Sequence, residues 1–187
     1  MKADKAQLAI NAAIDLFGQQ GIDNTSTQAI AKHANIGNAT LFKYFESKDT
    51  LIREAYLSAK MNFVAYIKKD VVPTDKFEKL LRMIWNNFLS WSKENPRIYN
   101  FVQQIKSSRF KDPEIEAKVQ HEFLFFTMAL NAAKASGEVV DEPLELIQAT
   151  IVLFLDLAVE VSNDDSSISE QQVYQLMLNS LKINATT

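Results

Sequence analysis

Apolar residues recur at helical spacing along nearly the whole chain. Ile10, Ala13, Ile14 and Phe17 follow i, i+3, i+4, i+7 and predict a helix over about 6–19, with Gly21 placed to stop it. Thr25-Ser26-Thr27-Gln28 then offers two N-caps. Either Thr25 or Ser26 fits, and Thr25 with Gln28 matches a capping box. The short helix that follows, about 26–34, carries Ile30, Ala31 and Ala34 on one side. Asn35 suits a left-handed turn. A third short helix runs over about 38–45. Ser47 can cap the next one, about 48–69, where Asp49 and Arg53 are spaced to pair at i, i+4.

The pattern continues after a break at Val71-Val72-Pro73. A helix over about 75–93 puts Phe77, Leu80, Leu81, Ile84, Phe88 and Trp91 on one face, and Asn95-Pro96 ends it. A shorter helix covers about 97–109, and Asp112-Pro113 opens another that runs to about 135, where Gly137 stops it. Pro143 starts a helix to about 162, a polar loop covers 163–167, and Ser169 caps a last helix to about 182. The expectation is an all-α fold of about nine helices with no strand. Only four Gly and four Pro occur in 187 residues, too few for the many tight turns of a β-rich chain.

Composition removes several classes of chemistry. There is no cysteine, so disulfides, thiolate zinc sites and a cysteine nucleophile are excluded. His33 and His121 are the two histidines, and neither has a partner at metal-ligand spacing. No Gly-rich phosphate loop or nucleophile motif occurs, so an enzyme, a metal and a cofactor are all unexpected. Asp164-Asp165 reads as part of a solvated loop. Asn11 and Asp15 interrupt any signal-peptide apolar region, and the run from Ile151 to Leu155 is far short of a membrane span. A soluble cytoplasmic protein is expected. The net charge is −3, but residues 1–60 carry +1 and the remainder −4. That asymmetry is mild.

Three short helices thus fill the first 45 residues, and the second and third are joined by Asn35, Ile36 and Gly37 alone. This is the spacing of a helix-turn-helix. Ile14, Phe17, Ile30 and Ala34 can pack helices one and two. Leu41 and Phe45, four residues apart, tie helix three to them. Asn38, Ala39, Thr40, Phe42, Lys43 and Tyr44 are left to varying exposure, a mix of small and hydrogen-bonding side chains of the kind a major groove admits.

The stretch GIDNTSTQAIAKHANIGNATLFKYFESKDTLIREA resembles the helix-turn-helix of the TetR family of bacterial transcriptional regulators. The spacing agrees without a gap through Gly21, Thr25-Ser26, Ile30-Ala31, Ala34, Ile36, Thr40-Leu41-Phe42, Tyr44-Phe45 and Ser47-Lys48. Beyond residue 60 only length and helical layout agree. The resemblance implies that Ser26 and Thr27 hold backbone phosphates and that Gln28 reaches a base edge or phosphate. It implies that Gly37, Asn38 and Ala39 meet base edges, with Phe42 free to pack or to touch a thymine methyl. Thr40, Lys43, Tyr44 and Lys48 would anchor flanking phosphates. Three positions depart from the family pattern. Asn35 stands for a usual glycine, Gly37 for a common serine cap, and Gln28 where a basic residue is frequent. Fewer phosphate contacts and a shallow salt dependence are the expectation.

The implied layout is a helix-turn-helix DNA-binding domain over 1–47, a connecting helix over 48–70, and a helical effector-binding and dimerisation domain over 71–187. Residues 75–135 are rich in aromatics, which read either as packed core or as the wall of an apolar cavity. Trp85, Asn87, Phe88, Trp91, Tyr99, Gln104, His121, Phe125, Thr127 and Asn131 are the candidate lining, suited to an apolar or aromatic effector. The helix after Pro143 is apolar on several sides and must be buried on several sides. Leu146, Leu153 and Leu157, with Val173, Met177 and Leu181 of the last helix, are candidates for the four-helix dimer interface that the resemblance implies. Burial within one chain is the alternative. The function implied is a homodimeric repressor released from a near-palindromic operator by a small molecule. Two other readings stand beside it: a helix-turn-helix protein with no effector, and a helical interaction protein that has lost DNA binding.

Overall fold

The computed structural model describes residues 5–72, 76–163 and 167–183, and among these ten helices follow one another without a strand. They are α1 (Lys5–Gln20), α2 (Thr27–His33), α3 (Asn38–Tyr44), α4 (Lys48–Ile67), α5 (Phe77–Glu94), α6 (Pro96–Lys106), α7 (Pro113–Glu122), α8 (Leu124–Ser136), α9 (Leu144–Asn163) and α10 (Glu170–Ser180). Pro73 and residues 164–166, to which the sequence assigned a break and part of a loop, lie outside the described residues.

Local chemistry explains most boundaries. Asn35 takes φ 53°, the left-handed turn expected of it, and Gly21 and Gly137 end α1 and α8 at φ 91° and 77°. The Ser47 hydroxyl accepts the Thr50 N–H at 3.1 Å. Ser169 and Gln172 form a reciprocal capping box on α10. One expected helix is divided: the segment from 113 splits at Phe123 (φ −102°, ψ 15°) into α7 and α8. No glycine or proline marks that point, and Ile115, Val119, Leu130 and Ala133 keep one helical phase across it, so the pattern reads as continuous.

The chain forms two compact units, Met1–Ala65 with Ser92–Val119, and Tyr66–Trp91 with Gln120–Thr187. The first gathers α6 and most of α7 around the three N-terminal helices, although the sequence reading places them in a separate domain. Its core joins Ala9, Ala13, Ile14, Phe17, Ile30, Leu41, Phe45, Ile52 and Tyr56 to Phe101, Val102, Ile105 and Ile115. The Phe17 and Phe101 rings lie 5.3 Å apart. Gly18 lets α1 meet α6 backbone to backbone, since a Cβ there would lie 2.0 Å from the Arg97 carbonyl oxygen.

Ion pairs in this unit differ from the i, i+4 expectation. Asp49 and Arg53 do not pair with each other. Arg53 reaches Asp112 and Glu114, and Arg109 grips Asp49 with two bonds of 2.8 and 3.1 Å. A bidentate guanidinium and an α7 N-terminal carboxylate offer better geometry than a single turn of helix does.

In the second unit, α5 buries Phe77, Leu80, Leu81, Ile84, Trp85, Phe88 and Leu89. α9 packs on α10, which buries Val173, Tyr174, Met177 and Leu178. Glu78 is only 3% exposed, yet it accepts the Tyr174 hydroxyl at 3.0 Å and Arg82 Nε at 3.1 Å. Arg82 also stacks 4.0 Å from the Tyr174 ring centroid, and Trp85 meets that ring edge-on at 4.9 Å. A buried carboxylate is tolerable when paired this fully.

Candidate nucleic-acid interface

The turn between α2 and α3 is held by backbone bonds: Asn35 N–H to Lys32 O at 3.1 Å and Ile36 N–H to Ala31 O at 3.0 Å. It sets the phase of α3. Leu41 (1% exposed) and Phe45 (5%) point into the core with Ile30 and Ala31. Asn38, Ala39, Lys43 and Tyr44 lie outside and Thr40 is half-buried. Phe42 is 44% exposed, so its ring is on the outer face and not in the core. A large apolar side chain held out on a polar face is what contact with a thymine methyl requires. Gly37 begins α3 with no side-chain cap bond, as its missing side chain dictates.

On α2, Ser26 is the N-cap and accepts the Ala29 N–H at 3.1 Å. Thr25 does not cap, and the Thr25–Gln28 capping box is not formed. Thr25 is fully buried and turns back, donating its hydroxyl to Gly21 O at 2.7 Å. This leaves Ser26 and Gln28 exposed and Thr27 half-buried at the front of α2.

The electrostatics separate two lysines that the sequence treats alike. Lys43 is exposed, and among the described residues it pairs with no carboxylate. Lys48 is half-buried, and its Nζ donates to Ile22 O at 2.6 Å. One of its three donors is therefore fixed on the loop after α1. Elsewhere in the first unit, Asp15 receives both Arg97 and His33 Nε2, the latter at 3.1 Å. Tyr56 donates to Glu116, and Lys60 lies 3.4 Å from the same carboxylate. Burial, followed by the Glu116 contact, pushes the Tyr56 phenol up. Burial pulls the Lys60 ammonium down against the opposing pull of Glu116.

The residues expected to line a cavity differ in burial and in partners. Trp85, Phe88 and Trp91 are buried, while Tyr99, Phe125 and Thr127 are half-buried. The Thr127 hydroxyl accepts Gln148 Nε2 at 3.1 Å. His121 is exposed. Asn87 donates to Ile67 O at 2.9 Å and Lys69 O at 2.8 Å, so it closes the end of α4. Gln104 belongs to the first unit, where it is bonded to Phe17 O and Ile22 N. Asn131 lines an open surface depression with Lys134, Ser136, Gly137, Val139 and Asp141. The dimer candidates divide as well. Leu146, Leu153 and Leu157 are exposed on α9, together with Val152. Val173 and Met177, on the inward face of α10, and Leu181, which follows its C-terminus, are buried within the chain's own second unit.

The structural roles of Gln104, Asn87 and Asp15 have no local signal. Their partners lie 82 residues away for Gln104–Ile22, 20 for Asn87–Ile67 and 82 for Arg97–Asp15.

With this geometry in place, comparison with known proteins is direct. Residues 9–55 match the family described as bacterial regulatory proteins, tetR family. An HTH-type transcriptional regulator of Haemophilus influenzae is 31% identical over 112 residues, a match that spans 59% of this chain and 60% of that relative. The crystal structure of a tetR family transcription regulator from Shewanella sp. PV-4 superposes with a TM-score of 0.79 at 25% identity, over 95% of this chain and 98% of that one. FadR from Bacillus subtilis, solved in complex with stearoyl-CoA, shares the fold at a TM-score of 0.76 and 16% identity, over 94% and 98% of the two chains. The ungapped helix-turn-helix and the family match together place residues 9–55 in the tetR family of bacterial regulatory proteins, and the all-helical fold of the chain is the one seen in a solved tetR family regulator.

Proposed function

We propose that the protein is a homodimeric DNA-binding regulator that lays α3 of each subunit into a major groove. The observation that carries this reading is the division of α3. Leu41 and Phe45 anchor it, while Asn38, Ala39, Phe42, Lys43 and Tyr44 stand outward together on a helix of two turns. Asn38 suits adenine through paired N6 and N7 contacts, Phe42 suits a thymine methyl, and Lys43 suits a phosphate. The exposed row Leu146, Leu153 and Leu157 on α9, with exposed Val152 beside it, supports association through that helix, since an apolar surface of this kind is a liability on a monomer. Two-fold symmetry then sets half-sites roughly 34–36 Å apart, or a multiple of it.

The regulator releases its operator when an apolar small molecule binds better to the form whose reading heads are misspaced; reciprocal linkage requires the two affinities to oppose each other. The fold shared with FadR, which was solved with stearoyl-CoA, supports a long apolar effector. The aromatic content of α5 to α8 supports it too.

The test is enrichment of random-sequence duplex DNA by the full-length protein, followed by mobility shift with fatty acyl-CoA thioesters added. A near-palindromic consensus whose complex dissociates on addition is expected. No consensus above background would overturn DNA binding, and a consensus insensitive to every ligand tried while the protein stays folded would overturn the effector.

A further inference from the structure

We infer that Gln104, on α6 and outside the helix-turn-helix, is a positioning residue for DNA binding: its side chain fixes the loop that carries α2. The inference rests on the reading above that α2 and α3 face DNA. The carboxamide of Gln104 bridges two points of the first unit. Nε2 donates to Phe17 O at 2.9 Å, and Oε1 accepts the Ile22 N–H at 3.1 Å. The amide orientation is determined by this pair, because a flipped amide would set N–H against N–H and oxygen against oxygen. Gln104 thus adds a second donor to the Phe17 carbonyl at the end of α1, which Gly21 N–H also reaches at 3.0 Å.

The same Ile22 is held from its other side by Lys48 Nζ, which donates to Ile22 O at 2.6 Å. Both hydrogen-bonding groups of one loop residue are therefore fixed by side chains from two different helices, α6 and α4. Local bonds also brace the loop, Asn24 Nδ2 to Gln20 O at 2.9 Å and Thr25 N–H to Ile22 O at 3.3 Å, but Gln104 and Lys48 are the side chains that tie Ile22 to other helices. Gly21 is left-handed, Asp23 and Asn24 are exposed, and Ile22 itself is buried. Three residues after Asp23 comes Ser26, the N-cap of α2. Thr25 passes the constraint along by bonding Gly21 O at 2.7 Å and accepting Gln20 Nε2 at 3.2 Å. The two groups assigned to flanking phosphates, the Ser26 hydroxyl and the Lys48 ammonium, are connected through Ile22, and Gln104 sets where Ile22 lies. Losing Gln104 removes the tie from Ile22 to α6 and lets Lys48 follow Ile22, so both contacts lose their common register. A hydrophobic side chain of equal length would fill the space and keep the α1–α6 packing, including Phe17 on Phe101 at 5.3 Å, while removing both bonds.

The experiment uses the full-length protein, a duplex from the pool that the wild type enriches from random-sequence DNA, and a scrambled duplex. Gln104→Met removes both bonds; Gln104→Glu keeps the acceptor for Ile22 and loses the donor to Phe17. The expected result is an unfolding midpoint near wild type, with specific affinity about tenfold lower for Gln104→Met and an intermediate loss for Gln104→Glu. The slope of log affinity against log salt should fall by about one unit in Gln104→Met, since a phosphate contact loses its register. A role in folding alone would lower the midpoint and leave affinity and salt slope of the folded protein unchanged. Wild-type affinity and salt slope in a folded Gln104→Met would overturn the inference. If Gln104→Met does not fold, the same criterion applies to Gln104→Glu. A wild type that enriches no sequence sinks the DNA-binding reading itself and is a separate outcome.

Discussion

Gly18 and Arg97 bring two helix backbones to contact distance: a Cβ on Gly18 would fall 2.0 Å from the Arg97 carbonyl oxygen and 2.6 Å from its carbonyl carbon. Backbone cannot move aside as a flexible side chain does. Gly18→Ala must therefore prise α6 from α1 or abandon the packing, at a cost of roughly 2 kcal/mol or more. The check is urea unfolding, with a lower midpoint expected.

Neighbouring residues on α3 should behave oppositely. Leu41→Ala removes a core side chain that is 1% exposed and should destabilise the fold by about 2–4 kcal/mol. Phe42→Ala touches a ring that is 44% exposed and should change stability by less than about 0.5 kcal/mol while weakening selection of thymine in the recovered DNA site. Equal destabilisation by the two changes would place Phe42 in the core.

Lys43 and Asn38 separate affinity from specificity. Lys43→Ala should weaken all duplexes about equally and lower the salt slope by about one unit. Asn38→Ala should relax preference at one position per half-site, at about 1–3 kcal/mol. Mobility shifts on the consensus and on single-base variants, at several salt concentrations, read both effects.

Acid should loosen the Arg53–Asp112 contact. The Arg53 guanidinium, with the Ile115 and Glu114 amides behind it, holds the Asp112 carboxyl below its ordinary range, against the opposing effect of burial. The native state thus binds fewer protons here than the unfolded chain does. The stabilisation is complete above the ordinary carboxylate pKa and is lost as pH falls through the depressed native value. Thermal midpoints from pH 6 down to pH 3 should fall less steeply for Asp112→Asn than for wild type. Parallel curves would show that the contact contributes nothing.

Leu153 tests the association surface. It is 69% exposed on α9, so Leu153→Glu should leave the folded chain intact and shift sedimentation from dimer to monomer. Binding to a full palindrome should drop with it.

Much of the interface was legible because its determinants are local. Asn35, Gly37, Leu41 and Phe45 lie within one turn or one helix of each other, and their spacing specifies both the turn and the buried side of α3. Side chains whose partners are distant in sequence could not be read this way. Asp49 and Arg53 satisfy the i, i+4 rule yet choose Arg109 and Asp112, 60 and 59 residues away. Gln104 and Asn87 looked like polar groups in an apolar region. Each instead satisfies backbone groups where a helix ends, a need that a one-dimensional pattern does not display. Thr25 and Ser26 were equivalent as caps until burial chose between them: the fully buried hydroxyl turns inward and the exposed one caps. The α7–α8 division had no breaker residue to announce it.

The membership of Phe101, Val102, Ile105 and Ile115 in the same core as Leu41 and Phe45 bears on how this protein can be recombined. Transplanting only the residues that match the family, 9–55, into another scaffold would leave Phe17 and Gly18 facing a foreign helix. A chimera that changes operator choice and still folds has to carry residues 92–119 along with the reading head, so the exchangeable cassette is discontinuous in the gene.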